Sequence, residues 1–240
     1  MGRGAQNLVL LLTGLAVVLI VLNGDYLRYV KPGLMPWLVA SAVVLMALGA
    51  VSIIRDLRLQ PRGEESAPAG HEGHTHRTWL AWVLVIPIAV LAFVVPPPLD
   101  AAGASPSQAA VAPPKRAFPP LPPGAAPVVS IPELMMRAAA DSTNSLDGRT
   151  VTVTGFTLKR PEGVDLGRVV IVCCAADAQL AQVRLSGAVA SAVAAYPDDT
   201  WVRVQGAVVP GSADGGNGFV PTLVASSATR VDKPANTYAY

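Results

Sequence analysis

The residues of this 240-residue chain best suited to chemistry are two adjacent cysteines, Cys173 and Cys174. They are the only cysteines in the sequence, and Asp177 follows shortly after them. Three roles are open for the pair: burial of one thiol beside an inert second, a strained and easily reduced vicinal disulfide, or a thiolate that binds a soft metal or reacts with an oxidant. Asp177 would either assist that chemistry or cap the following turn.

The cysteines end a nearly continuous apolar run, Arg168–Cys174, which predicts a β-strand. Neighbouring residues on a strand point to opposite faces, so both thiols cannot lie in the same layer of the core unless a bulge or a strand end lies there. We therefore expect one thiol near the surface or near a partner.

A second group of potential metal ligands contains every histidine of the chain: His71, His74 and His76, within the segment His-Glu-Gly-His-Thr-His. Three imidazoles this close together, with Glu72, can fold around a transition metal such as zinc, nickel or copper. The alternative is a solvated loop, because the surrounding residues 55–77 are polar and rich in Gly, Pro and Ser.

Long apolar segments that could cross a membrane occupy the first part of the chain. Residues 1–95 are predicted to form a transmembrane region with three spans, at about 5–24, 33–54 and 78–96, because each uncharged run reaches the roughly 20 residues that a membrane helix needs. Gly14 and Gly49 would permit close contacts between helices. A cleaved signal peptide is the alternative for the first run, although no small-residue cleavage site follows it.

The orientation of these spans is predicted from the basic residues that flank them. The side holding the N-terminus and the second loop has five: Arg3, Arg55, Arg58, Arg62 and Arg77. The other side has Arg28 and Lys31 in the first loop, and the linker after the third span adds Lys115 and Arg116, so the difference is five against four, or five against two in the nearest flanks. We therefore expect a multi-pass protein of the cell membrane with an extracytoplasmic C-terminal domain. The histidines and the cysteines would then lie on opposite sides and could not share one ion.

The remainder of the chain is predicted to be a proline-rich linker and one soluble domain. Residues 96–127 contain eleven prolines, which favour an extended, semi-rigid spacer. In residues 128–240, the apolar pattern predicts five short strands with a helix between the third and fourth, which fits an OB-like five-stranded barrel; a β-sandwich is the alternative. The predicted helices are 131–137 and 187–196, and the predicted strands are 150–156, 168–174, 182–185, 200–206 and 218–224.

Composition and motifs exclude several classes of function. The predicted soluble domain has nine Lys/Arg and ten Asp/Glu residues, so it lacks the basic surface that nucleic-acid binding requires. The sequence contains no P-loop, no Gly-x-Ser-x-Gly motif and no Cys-x-x-Cys pair. We therefore expect neither a nucleic-acid partner nor an enzyme.

Four segments together resemble the YcgQ-like family of bacterial membrane proteins, which are described as predicted permease subunits. The segments are Asp25–Gly33, Cys173–Ala178, Trp201–Gly206 and Lys233–Tyr240. The resemblance implies an accessory subunit of a two-component complex, in which a separate polytopic permease supplies the transport path. The resemblance supplies no catalytic residues. The terminal pattern of the family is similar to Pro-x-x-Pro-Tyr-x-Tyr, and in this chain Asn236-Thr237 replaces the second proline. The alternative is a standalone, membrane-anchored thiol or metal sensor.

Overall fold

The computed structural model describes residues 3–59, 105–106 and 113–239. The chain forms two compact units, Met1–Pro97 and Pro98–Tyr240. The predicted third span at 78–96 and the three histidines lie outside the described residues.

The described part of the first unit is a helical hairpin. Helix α1 spans Arg3–Leu22 and helix α2 spans Met35–Leu59, and two short 3₁₀ turns, Asp25–Arg28 and Pro32–Leu34, connect them. Gly24 ends α1 with a left-handed backbone, at a φ of 76°, a conformation that glycine adopts without steric cost. The connection reverses the chain, so that α2 returns along α1.

Glycines allow the two helices of the hairpin to approach closely. A Cβ placed on Gly14 would lie 2.6 Å from Cγ of Met46, and one placed on Gly49 would lie 2.9 Å from Cγ of Leu11. Both distances are shorter than real Cβ contacts, so a larger residue at either position would force the neighbouring side chain to move. The glycines predicted to permit helix contacts therefore form one within this chain, as small residues do between membrane helices.

The opposite surfaces of the hairpin are apolar and exposed. Its exposed side chains include Leu8, Leu15, Leu19, Val43, Val44, Leu48 and Val51. The stretch Pro32–Arg55 is long and apolar enough to cross a membrane, and 11% of its most apolar window is buried. The apolar part of α1, Gln6–Leu22, is shorter. Among the described residues, one helix thus has the length and hydropathy of a membrane span.

The second unit is mostly β. Its elements are β1 (Ser105–Pro106), α3 (Ile131–Ala140), β2 (Thr150–Arg160), β3 (Gly163–Val170), β4 (Gln179–Ser186), α4 (Ala188–Ala194), β5 (Trp201–Val208), β6 (Thr222–Arg230) and β7 (Tyr238–Ala239). The five longer strands pair in a ring, in which β2 pairs with β3, β3 with β4, β4 with β6, β6 with β5, and β5 with β2. Only the β4–β6 pair of this ring is parallel. The short β1 pairs with β4 and the short β7 with β3.

The two helices of this unit occur where the sequence predicts them, and α4 lies between the third and fourth long strands. The prediction of a strand at 168–174 is wrong at its end, because β3 stops at Val170 and the two cysteines lie in the loop that follows. The last long strand begins at Thr222 rather than at Gly218, because Asp214 caps a 3₁₀ turn at Gly215–Asn217. Both errors arise where side chains bond to nearby backbone amides.

The interior of the second unit contains two apolar clusters. The larger one joins α3 and α4 to the strands and includes Ile131, Leu134, Val151, Val153, Leu166, Val183, Val193, Val204 and Leu223. The smaller one, called here the end cluster, consists of Phe156, Leu158, Val169, Ile171, Leu180, Trp201 and Tyr238. The end cluster packs beneath the loop that carries the cysteines, since Ile171 and Leu180 flank that loop.

The C-terminal part of the proline-rich segment, residues 113–127, forms no helix, bends at residues 123–126 and is hydrogen-bonded to later parts of the second unit. The amide of Arg116 donates to the carbonyl of Ala140 at 2.9 Å, and the amide of Thr152 donates to the carbonyl of Pro127 at 2.8 Å. The buried guanidinium of Arg137 donates to the carbonyl of Pro119 at 2.9 Å. Prolines have no backbone N–H to donate, so these hydrogen bonds of the segment are made by the carbonyls of its prolines and by the amide of Arg116.

Candidate dithiol site

The cysteine loop begins where β3 loses its strand partners. The amide of Ile171 donates to the carbonyl of Ala239 at 3.1 Å, which is the last bond of this edge to the C-terminal tail. The next three amides all turn to one carboxylate, that of Asp177. This side chain accepts from the amides of Val172 at 2.9 Å, Cys173 at 2.8 Å and Cys174 at 3.3 Å.

The capture of these amides explains why the strand ends. A strand needs its amides for the ladder, whereas here a carboxylate five residues or fewer along the chain takes three in succession. The chain then makes a 3₁₀ turn, Ala175–Asp177, in which the amide of Asp177 donates to the carbonyl of Cys174 at 3.0 Å. The argument from opposite strand faces therefore does not apply to the two cysteines, although Cys173 is exposed as that argument expected of one thiol.

Both thiols and the Asp177 carboxylate face one small volume. One ligand atom from each of Cys173, Cys174 and Asp177 can be chosen so that all three lie within 4.8 Å of one another. Neither cysteine is in a disulfide; Cys173 is exposed and Cys174 is half-buried. Within the ranges that the structure describes, this is the group of three such donors with the geometry to hold a metal ion.

The electrostatics of the loop keep Cys173 protonated. A hydrogen bond between its thiol and the Asp177 carboxylate is the largest cause that raises the pKa of Cys173 to about 11, and a hydrogen bond with Cys174 adds to it. The same bond from Cys173 lowers the pKa of Asp177 to about 2. A reactive cysteine is instead activated by positive neighbours that lower its pKa. At neutral pH the loop thus presents a thiol beside a carboxylate rather than a nucleophilic thiolate.

The end cluster, against which Ala178 of the loop packs, contains an aromatic pair. Trp201 is 6% exposed and contacts Phe156 edge to face, with ring centroids 5.7 Å apart at 68°. The guanidinium of Arg168 lies 4.7 Å from the centre of the Trp201 ring. Trp201 is therefore a residue of the core.

The C-terminal tail joins the same end of the domain. Arg168 donates to the carbonyls of Asn236 at 2.9 Å and Tyr238 at 3.3 Å, and Tyr238 is 2% exposed within the end cluster. Three of the four segments that carry the family resemblance therefore contribute a residue to this end of the domain: Ala178, Trp201 and Tyr238. The sequence analysis did not identify Arg168 or Tyr238 as residues of this site. The one feature that could have indicated Arg168 is its place at the start of an otherwise apolar run.

Comparison with protein families assigns both units of the chain. Residues 6–107 match the DUF1980 N-terminal domain, and residues 133–240 match the DUF1980 C-terminal domain. The chain belongs to the DUF1980 family. No curated protein and no solved structure matches it. The α1–α2 hairpin thus lies in the DUF1980 N-terminal domain, and the dithiol site with its supporting end cluster lies in the C-terminal one.

A second polar cluster of the DUF1980 C-terminal domain is a network of ion pairs around Asp165, which links parts of the domain to one another. Asp165 is 3% exposed and lies between Arg160, at 3.5 Å, and Arg184, at 3.4 Å. Arg184 also contacts Glu162 at 3.0 Å. Burial raises the pKa of Asp165, although both arginines act in the opposite direction. The charges of this cluster are satisfied within the chain, so it offers no vacant ligand position comparable with the dithiol site.

Proposed function

We propose that this DUF1980 protein is an accessory subunit of a membrane permease complex. The observation that carries the proposal is the hairpin, in which α1 and α2 are joined through Gly14 and Gly49 while their large apolar side chains remain exposed. Such a surface is stable against lipid or against the helices of a membrane partner, and would be a liability in water.

The proposed topology follows the sequence. Three spans, the third at 78–96, would leave the N-terminus inside and place the DUF1980 C-terminal domain outside the cell membrane. The excess of basic residues beside the N-terminus and in the second loop supports this orientation. The helix at Pro32–Arg55, which is long and apolar enough for one span, supports membrane insertion.

The proposed fold of the outer domain is an OB-like barrel. Its support is the ring of five strands with one parallel pair, β4–β6, and the helix α4 between the third and fourth strands of the ring. A small Greek-key barrel closes in this way. Closure also leaves few unpaired strand edges, and this suits a domain held beside another protein.

The permease role rests on two further arguments. The resemblance to the YcgQ-like family implies a second, larger subunit that supplies the transport path. Three spans are also few for a complete path through a bilayer, so a separate polytopic partner would be needed.

A pull-down tests this proposal. The full-length chain, tagged at its C-terminus and extracted from native membranes in a mild detergent, should recover a polytopic membrane protein in a near-equimolar amount. Gly14→Leu, which forces α1 away from α2, should reduce that recovery. Gly33→Ala is the matched control, because no atom lies within 4 Å of a Cβ placed there. Recovery of no polytopic protein by the unmodified chain would overturn the proposal.

The second candidate function is a standalone, membrane-anchored thiol or metal sensor. The grouping of Cys173, Cys174 and Asp177 favours it. The double variant Cys173→Ser/Cys174→Ser distinguishes the two. A sensor would lose its cellular response in this variant and would recover no permease with or without the cysteines. An accessory subunit would still recover the permease.

A further inference from the structure

We propose that Cys173, Cys174 and Asp177 form a binding site for a thiophilic divalent cation, of which Zn²⁺ is the reference. The proposal goes beyond the accessory role and does not depend on a permease partner, because all three donors belong to one loop of this chain.

The distances between the donors fit such an ion after a small adjustment. Ligands held about 2.0–2.3 Å from a tetrahedral Zn²⁺ lie roughly 3.5–3.8 Å apart, and the three donor atoms here lie within 4.8 Å of one another. Side-chain rotations of exposed or half-buried residues can close a difference of about 1 Å without moving the strands, since such side chains change rotamer readily.

The hydrogen bonds of Asp177 leave room for a cation. Its Oδ2 atom accepts two amides, from Cys173 and Cys174, while Oδ1 accepts one, from Val172. Each carboxylate oxygen has two acceptor positions. Oδ1 therefore retains one position after the loop has been fixed, and Asp177 can hold the loop and bind an ion at the same time.

Binding of a cation displaces the protons of the thiols. On binding, each thiol that becomes a ligand loses its S–H bond and forms an S–metal bond, and its proton goes to solvent. Two thiols, the Asp177 carboxylate and one M²⁺ thus give a complex with one net negative charge and two released protons, with no change of oxidation state.

The donor set indicates both the class of ion and the kind of site. Two thiolates favour Zn²⁺ and softer ions over Mg²⁺ and Ca²⁺, which prefer oxygen ligands. Structural zinc sites have four protein ligands, whereas this loop offers three in an exposed position. At least one coordination position would remain for water or for a ligand from another molecule, as in a site that exchanges its ion.

The histidine segment must be separated from this site in any experiment. His71, His74 and His76 would bind the same ions, although more weakly toward the softest of them. A triple variant, His71→Gln/His74→Gln/His76→Gln, removes that contribution and leaves the loop intact.

The test uses the full-length protein in detergent, reduced with a phosphine and free of other metals. Co²⁺ serves as the spectroscopic probe, because thiolate ligation produces an intense near-ultraviolet charge-transfer band that histidine or carboxylate ligation does not. We expect this band in the unmodified chain and in the triple histidine variant, its loss in Cys173→Ser/Cys174→Ser, and its displacement by one equivalent of Zn²⁺.

Two aspartate variants form a matched pair. Asp177→Asn should weaken Co²⁺ binding by about ten-fold or more, the effect of removing a ligand or its support. Asp214 caps another 3₁₀ turn, accepting from the amides of Gly216 and Asn217, but has no cysteine beside it. Asp214→Asn should leave the Co²⁺ affinity unchanged.

A measurement on the unmodified chain guards against variants that do not fold. Zn²⁺ should slow the alkylation of Cys173 and Cys174 by iodoacetamide, and Mg²⁺ should not. The proposal is wrong if the unmodified, reduced chain gives no thiolate band, if the band survives loss of both cysteines, or if Zn²⁺ leaves alkylation unchanged. None of these results depends on whether the pull-down recovers a permease, so the two proposals fail independently.

Discussion

Asp177→Asn should change the cysteine loop in two opposite directions, and this opposition is the sharpest test of the chemistry assigned to it. The carboxylate is the largest of the causes that raise the pKa of Cys173 from its ordinary value of 9.0 to about 11, and Cys174 and burial contribute as well. Removing its charge should therefore make the thiol more reactive toward alkylating agents, while the loss of a ligand makes the loop bind a cation less tightly. A residue that only shapes the loop would not separate the two effects.

The size of the effect on reactivity follows from that pKa. At pH 8, a thiol with a pKa of about 11 is ionised to roughly 0.1%, and one with a pKa near 9 to roughly 10%, a difference of about a hundred-fold. A thiolate of lower pKa is also a weaker nucleophile, by about ten-fold over two pKa units. We therefore expect Asp177→Asn to accelerate alkylation of Cys173 at pH 8 by up to about ten-fold.

The assay measures the rate of iodoacetamide alkylation against pH in the Cys174→Ser background, so that a single thiol reports, with a chelator present. The midpoint of the profile should move to lower pH in Asp177→Asn and stay in place in Asp214→Asn. A loosened loop would raise the rate at every pH without moving the midpoint. An unchanged midpoint would therefore refute the assignment of Asp177 as the partner of the Cys173 proton.

The other predictions concern the scaffold and its placement. Trp201→Ala should lower the free energy of unfolding by about 3–5 kcal/mol, because it empties the end cluster; hydrogen exchange should show the cysteine loop opening first. Gly14→Leu should lower the thermal stability of the hairpin in detergent and Gly33→Ala should not. Burial alone would raise the pKa of Asp141, but hydrogen bonds from Ser145 and Thr143 lower it overall from 3.8. The ionised Asp141 side chain therefore stabilises the folded state at pH values above 3.8, and this stabilisation is lost as the pH falls below 3.8. In an acid titration, Asp141→Asn should lose less folding stability than the unmodified chain. Finally, a membrane-impermeant maleimide should label Cys173 in intact cells if the domain is extracytoplasmic, and only after lysis if it is cytoplasmic.

The sequence predicted the parts of the fold that depend on local pattern. Alternating apolar residues located the strands that begin at Thr150 and Trp201, and the Ala- and Val-rich stretch before Pro197 located α4. Gly14 and Gly49 were identified as helix-contact positions because small residues in an apolar helix have few other uses. Each of these inferences depends on neighbours within a few residues.

The inferences that failed depend on contacts that the pattern of apolar residues does not record. The run ending at Cys174 reads as strand to its last residue, yet the bond from Ile171 to Ala239 and the capture of three amides by Asp177 end the strand early. The tail lies more than sixty residues away in sequence from Arg168, which it contacts. The candidate residues of the site were thus identified from the sequence, while their arrangement in a loop rather than on a strand was not.

The environment of Cys173 favours binding over catalysis. A thiol that attacks a substrate must be ionised near neutral pH, and proteins achieve this with a positive neighbour or a helix N-terminus. Here the neighbour is a carboxylate that three backbone amides hold in place, so the same bonds that shape the loop keep the thiol protonated. A cation reverses that balance, since it is attracted by the carboxylate and stabilises both thiolates. The proton on Cys173 therefore hinders nucleophilic attack, and we propose that a metal ion replaces it, in an exposed loop whose three donors leave a coordination position open to another molecule.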